Sequence, residues 1–445
     1  MPSLYAAPTT NEDVVTNCDM LQDPQGVIKA ATWSAMKGGP TFPGSNICQF
    51  MVEDYNGNMV IQDINTSPVS GAMQPDIVLA NSPDDNGHPG YQVLVVYIVP
   101  DIAFRYAEGT AYLDVYDITN IGTPSIGLSL RSTCILSTTC NGYPHIDMWS
   151  DANTLTNGLP TMTDFATVWA EGTTGNLYGM FGTVNSPCGM PTNLPTISGH
   201  SNIYMPDVAC VTSNDPVRGA TSRQIELAYG NGVNNDTIRT ITATNVIHEE
   251  MQESGGSWST TVGPTTLATY QPFAPRIEAM SQYSTNTHDA KWQIAVTNLG
   301  GSSVNGYNNL TSASLSAFAY VPPVLNNNFQ AAYVAAGIGR FLNTTNIGNR
   351  QYTAGYYPWG TPYNYSRDIS AATGNIITPS PYVINTTSQP VEYWWDVNQS
   401  LSLSNCSNSG KDLLAVWADT FGIVYKYSPS NAGTTWRVIK PKSST

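Results

Sequence analysis

Short apolar runs, β-branched or aromatic and four to six residues long, recur along this chain about every 45–75 residues. The clearest are Cys48–Glu53, Val93–Tyr97, Phe165–Trp169, Gln224–Tyr229, Trp292–Val296, Gln351–Tyr356 and Leu413–Trp417. Gly, Asn, Asp or Pro bounds each one, which is the signature of a strand. Several are apolar at every position, as a strand covered on both faces of its sheet can be.

A second run precedes each of these, often opening on Pro: Val27–Ala31, Pro75–Leu79, Pro144–Met148, Pro206–Cys210, Pro275–Ala279, Ala331–Ala335 and Val391–Trp395. Pro is tolerated at a strand's first residue, where its missing N–H lies outside the ladder. A third run follows a Gly/Asn turn at Met59–Asp63, Tyr112–Tyr116, Leu177–Phe181, Ile238–Thr242 and Ile423–Tyr427. In the fifth and sixth units it is marked only near Ala317–Tyr320 and Asn375–Ile377.

Three or four strands with no room for a crossover helix make an antiparallel meander, which cannot bury both faces alone. Ringing several meanders around an axis stacks each face on the next. The pattern therefore predicts an all-β chain, a β-propeller of antiparallel four-stranded blades. Seven blades are expected, with six as the alternative because two third strands are poorly marked. A two-sheet sandwich is the competing fold. Residues 1–24 read as an N-terminal arm, 25–439 as one propeller domain and 440–445 as a polar tail.

Charged residues make up only 11% of the 445, and the net charge is −15. That balance argues against nucleic acid and against anionic membrane surfaces, and no apolar run is long enough for a spanning helix. A surface of neutral polar side chains points to an extracellular or cell-surface protein. Met1-Pro-Ser-Leu-Tyr5 lacks the pattern of a signal peptide and is read as a processed or recombinant start.

Seven cysteines allow one or two disulfides, with Cys134–Cys140 and Cys188–Cys210 as candidate pairs. Cys48 and Cys210 sit in strand patterns, where buried thiols behave as small apolar groups; Cys18 and Cys406 fall in polar segments. Sequons occur at Asn65, Asn235, Asn309, Asn343, Asn364, Asn385, Asn398 and Asn405. About seven would arise by chance at this composition, so their number carries no argument.

Two phrases bear on the family. Ser430-Asn-Ala-Gly433-Thr-Thr-Trp436 follows the last third strand, and Glu253-Ser-Gly-Gly-Ser-Trp258 follows the fourth. Both resemble degenerate Asp-boxes, the Ser-x-Asp-x-Gly-x-x-Trp turn of sialidase-like (bacterial-neuraminidase-repeat) propellers. Asn431 stands where that family has Asp. The resemblance implies a propeller in which the box joins the third and fourth strands of a blade. It also implies, for the enzymes of the family, three arginines holding a substrate carboxylate. Here only Arg276 opens a predicted inner strand; the matching positions hold Asp76, His145, Asp207, Ala332 and Glu392. A mostly acidic ring would repel a sialic acid, so that activity is not expected.

The axial set Asp76, His145, Asp207, Arg276 and Glu392 is one candidate binding site. The other is the aromatic loop carrying Tyr356, Tyr357, Trp359, Tyr363 and Tyr365, whose rings and neutral neighbours suit stacking on sugars or on a protein. Paired carboxylates among Asp76, Asp147, Asp207, Glu278 and Glu392 would serve a hydrolase acting on a neutral glycan. Asp84-Asp85-Asn86-Gly87 offers oxygen ligands for Ca²⁺. The sequence is therefore read as a non-catalytic recognition protein: an adhesin, a lectin-like propeller or a component of an extracellular assembly. Its expected partner is a glycan or an extracellular protein, with self-assembly through the arm or strand edges as a further reading. A propeller-fold glycoside hydrolase is the alternative.

Overall fold

The computed structural model describes residues 14–35, 47–64, 72–83, 90–100, 108–141, 144–149, 151–156, 159–171, 175–194, 203–212, 223–231, 245–254, 257–268, 272–280, 291–298, 304–308, 316–320, 334–338, 349–355, 363–369, 376–383, 402–404, 413–419, 422–428 and 437–439. Among these, seven four-stranded sheets follow one another along the chain. All are antiparallel, and none contains a helix. Their innermost strands are Val14–Asp23, Met73–Ala80, His145–Met148, Ile203–Thr212, Pro272–Met280, Val334–Ile338 and Ser402–Ser404. We number the sheets one to seven in that order.

Each innermost strand lies beside that of the next sheet, and sheet seven returns to sheet one. The circle closes where the Cys18 thiol of sheet one reaches the Leu414 carbonyl of sheet seven, 4.0 Å away and 396 residues along the chain. This is a β-propeller. A sandwich would need two facing layers instead of a ring.

The apolar second strands do what their composition requires. Tyr91–Pro100 of sheet two has seven successive buried residues, Gln92–Ile98, because sheets one and three cover its faces. One core joins sheets one to three around Phe50, Tyr97 and Trp169; another joins sheets three and four around Trp149, Leu227 and Tyr229. Ring pairs such as Phe50–Tyr116, with centroids 5.0 Å apart, fill the wedge between neighbouring sheets.

Several strands fall differently from the sequence reading. Residues 14–23, placed there in the arm, form the innermost strand of sheet one, with Met20 and Leu21 fully buried. The runs taken as the first unit's three strands are thus its second, third and fourth. Asn17, Asp19 and Asp23 break the apolar pattern of Val14–Asp23, yet all three are buried. In sheet four the third strand is Asn245–Ser254, and the run 238–242 lies outside the described residues. The weak third-strand candidates of units five and six belong to fourth strands, Ser316–Tyr320 and Ile376–Val383.

The disulfide also differs. Cys134, on the outermost strand of sheet two, pairs with Cys188 of sheet three, at a Cα–Cα distance of 5.4 Å. Neither Cys134–Cys140 nor Cys188–Cys210 forms; Cys140 and Cys210 are buried and outside this disulfide, as are Cys18 and Cys48. Spacing along the chain favoured local pairs, whereas ring packing brings the edge of one sheet to the loop of the next.

Candidate functional site

The inner strand of a propeller sheet is a sheet edge, so its outward N–H groups need partners. In this chain, aspartates of the preceding sheet supply them. Asp76 of sheet two accepts the Ile146 N–H of sheet three at 3.1 Å through Oδ2, while its Oδ1 accepts the Ile77 N–H at 2.9 Å. Asp207 of sheet four repeats the arrangement. Its Oδ2 accepts the Ile277 N–H of sheet five at 2.9 Å and its Oδ1 the Val208 N–H at 3.0 Å.

Both aspartates follow a proline that stands at a bulge inside its strand, not at the strand's first residue as the sequence suggested. Both reach the second residue after the corresponding proline of the next sheet, Pro144 or Pro275. Between them runs a deeper row. Asp19 of sheet one accepts the Leu79 N–H at 2.8 Å, and Asp147 of sheet three accepts the Cys210 N–H at 2.7 Å. Leu79 and Cys210 each lie four residues after their own proline. The staples therefore alternate between two depths from sheet one to sheet five. Charge-assisted bonds of this kind are about twice as strong as neutral ones.

His145 occupies in sheet three the place that Asp76 and Asp207 hold in their sheets. Its Nδ1 stands 3.0 Å from Asp76 Oδ2 and 3.5 Å from Asp207 Oδ1. Three of the five axial candidates thus meet across three consecutive sheets, with side chains only 14%, 6% and 11% exposed for Asp76, His145 and Asp207. Arg276 lies on the inner strand of sheet five, directly after Pro275. Glu392 lies outside the described residues, and the inner strand of sheet seven is Ser402–Ser404 rather than 391–395. Asp19 was missed because it fell in the supposed arm. The signal that could have found it is an acid inside an otherwise β-compatible run.

Of the aromatic candidates, Tyr356, Tyr357 and Trp359 lie outside the described residues, and Tyr363 and Tyr365 fall on the third strand of sheet six, Tyr363–Ile369. The segment 84–87 proposed for Ca²⁺ is also outside them. Among the described residues no group of three or more His, Cys, Asp or Glu side chains could hold a metal ion. The box-like phrase Glu253–Trp258 spans the hairpin between the third and fourth strands of sheet four, where Ser254 pairs with Ser257.

A second polar cluster lies within sheet four. Glu226 Oε2 is 2.7 Å from His248 Nε2, and Gln224 donates to Glu226 Oε1 at 2.9 Å. Burial pushes Glu226 up to about 8, against the lowering bonds from Gln224 and Glu250, and pushes His248 down to about 4 despite nearby Glu250 and Glu249. Both shifts favour the uncharged forms, and the two groups share one hydrogen bond. Glu249, on the strand's other face with Tyr229 and Thr260 as donors, is also raised by burial.

No protein-family model matches the chain, and no curated protein matches it. Solved structures resemble it in shape. The fucose-specific lectin from Aleuria aurantia (Hg-derivative form) is 10% identical over 97% of each chain, with a TM-score of 0.47. A second structure of the Aleuria aurantia lectin, described as six-bladed, gives 10% identity and a TM-score of 0.45, covering 84% of this chain and 97% of its own. A putative 6-phosphogluconolactonase from Bacteroides fragilis gives 10% identity and a TM-score of 0.38, covering 97% of this chain and 94% of its own. These values transfer neither ligand nor activity.

Proposed function

We propose that this protein is a non-catalytic recognition propeller of the extracellular space or cell surface, lectin-like in taking a glycan. One observation carries the reading: both oxygens of Asp76 and both of Asp207 accept backbone N–H groups, two of them from neighbouring sheets. A glycosidase needs one carboxyl to give up a proton and another to attack or activate water. Carboxylates engaged in these backbone bonds, with side chains 14% and 11% exposed, support a structural role over either step. The inner strands then act as scaffold, and recognition falls to the loops at the rims, where propellers place it.

The Cys134–Cys188 disulfide supports an oxidising compartment. Few charged side chains and many neutral polar ones suit sugar hydroxyls, with the Tyr356–Tyr365 segment as the stacking surface. The degenerate boxes at Glu253–Trp258 and Ser430–Trp436 support a remote relation to sialidase-like propellers without their chemistry.

The test pairs a glycan array with a panel of aryl glycosides, using the full chain. Fucosylated glycans belong in the array, since the Aleuria aurantia lectin is fucose-specific. Binding without turnover, lost on replacing Tyr357 and Trp359 with Ala, is the expected result. Turnover abolished by Asp76→Asn or Asp207→Asn would establish the hydrolase instead.

A further inference from the structure

Among the described residues, three large apolar side chains stand mostly in solvent: Leu130 at 54%, Ile135 at 58% and Met190 at 88% exposure. All three lie on two segments joined by the Cys134–Cys188 disulfide. Leu130 and Ile135 lie on the outermost strand of sheet two, Gly127–Asn141, and flank Cys134. Met190 follows Cys188 by two residues, and Cys188 is bonded to Cys134.

The strand itself is unusual. At 15 residues it is the longest described, and it forms the end of its sheet. Its C-terminal end is closed by a single bridge from Cys140 to Glu171 of sheet three. From Gly127 to Ser137 no described strand pairs with its outer edge. Edges of this length are normally guarded by Pro, by several charges or by a covering element. This one has no Pro and no acid; its one charge, Arg131, meets Asp117 at 2.5 Å and Asn185 of sheet three at 3.0 Å. The segment 185–188 of sheet three touches the strand at Arg131, Thr133 and Cys134. The outermost strand of sheet four, Ser257–Ala268, carries the guarding proline, Pro264.

We propose that Gly127–Ser137 is a self-association edge, on which the same strand of a second copy pairs antiparallel. Two-fold self-complementarity fits that occupant, and charge permits it. A chain of net charge −15 repels its own copies over most of its surface, and this strand offers eleven successive residues, 127–137, without a carboxylate. Antiparallel pairing of identical strands is self-complementary about a two-fold axis, so it closes at a dimer and uses up both edges. Leu130 and Ile135 of each copy are then covered by the other. The Cys134–Cys188 bond braces the strand against sheet three, so little order has to be gained on pairing.

Sedimentation equilibrium on the full chain over a micromolar concentration series tests this. The expected result is a reversible dimer whose dissociation constant rises at least about tenfold with Leu130→Glu or with Ile135→Glu. The control Ser259→Glu, at an exposed position on the outermost strand of sheet four, should leave it unchanged. Both test positions are exposed, and an unaltered thermal melt shows that the variants fold. Amide exchange slowed over 127–137 at high concentration would support the same edge. A monomer at every concentration overturns the proposal, as does a dimer indifferent to both substitutions. A monomer that captures an unrelated extended peptide on this edge also overturns it, in favour of a foreign partner.

Discussion

Asp207 holds the backbone N–H of Ile277 across the junction of sheets four and five at 2.9 Å, so one carboxylate oxygen joins two units that are 70 residues apart in sequence. Removing the acceptor leaves a buried donor without its partner, which costs about 1–3 kcal/mol. Asp207→Ala should therefore lower stability by that amount. Asp207→Asn, which retains one acceptor oxygen, should lower it by less. Denaturant melts measure both, and faster exchange of the Ile277 amide in the Ala variant would tie the loss to this bond.

The Glu226–His248 pair gives the protein a pH profile. Glu226 rises from 4.5 to about 8 on folding, so the folded chain holds a proton that the unfolded chain releases, and stability falls as pH climbs between those values. His248 drops from 6.5 to about 4, so stability rises with pH through that window. The two effects offset below about 6.5 and leave a net loss of about 2 kcal/mol between pH 6.5 and 8. Glu226→Gln keeps a donor for the imidazole and cannot ionise. Its melting temperature should decline less than that of the wild type across that range, leaving the share due to Glu249.

The disulfide closes a span of 54 residues between neighbouring sheets. Loss of such a link costs about 2–4 kcal/mol in chain entropy. Replacing Cys134 and Cys188 together by Ser should bring the denaturant midpoint down accordingly. Under mild reductant the wild type should approach the variant, while the variant itself stays unchanged.

Gly122 sits at φ +80° with its N–H donated to Asp54 Oδ2 at 2.8 Å, which clasps the turn after Thr119 in sheet two to the Asp54–Asn58 turn of sheet one. A Cβ there meets the Tyr55 hydroxyl, and an L side chain is strained at that φ. Gly122→Ala should cost about 1–3 kcal/mol. Gly57→Ala is the comparison, because it shares positive φ (+82°) but meets nothing within 4 Å. It should cost less, and thermal melts of the two variants separate collision from strain.

Much of the architecture was legible along the chain. Runs such as Val93–Tyr97 and Phe165–Trp169 mark the second strands because burial on both faces admits only apolar side chains, a demand written into adjacent residues. The prolines of Met73–Ala80 and Ile203–Thr212 stand inside those strands, at bulges where the ladder skips and not at their first residues, but Pro75 and Pro206 themselves were equally visible. Val14–Asp23 was not, because Asn17 and Asp19 are buried by partners on the next sheet, Pro75 and Leu79. Asp76, His145 and Asp207 were visible as a set of inner-strand positions, whereas the backbone N–H groups they hold and their contacts with one another follow from the packing of successive sheets.

Local periodicity, then, determined the strands, their grouping into meanders and the need for a ring, because each follows from how neighbouring residues meet water or a sheet face. Tertiary structure alone decided where the aspartates spend their oxygens, which cysteine finds Cys134, and that Val14–Asp23 lines the centre. Those outcomes depend on groups about 50–70 residues apart arriving within 3 Å or so, and hydrogen bonds and disulfides are selective at that range in a way that apolar burial is not.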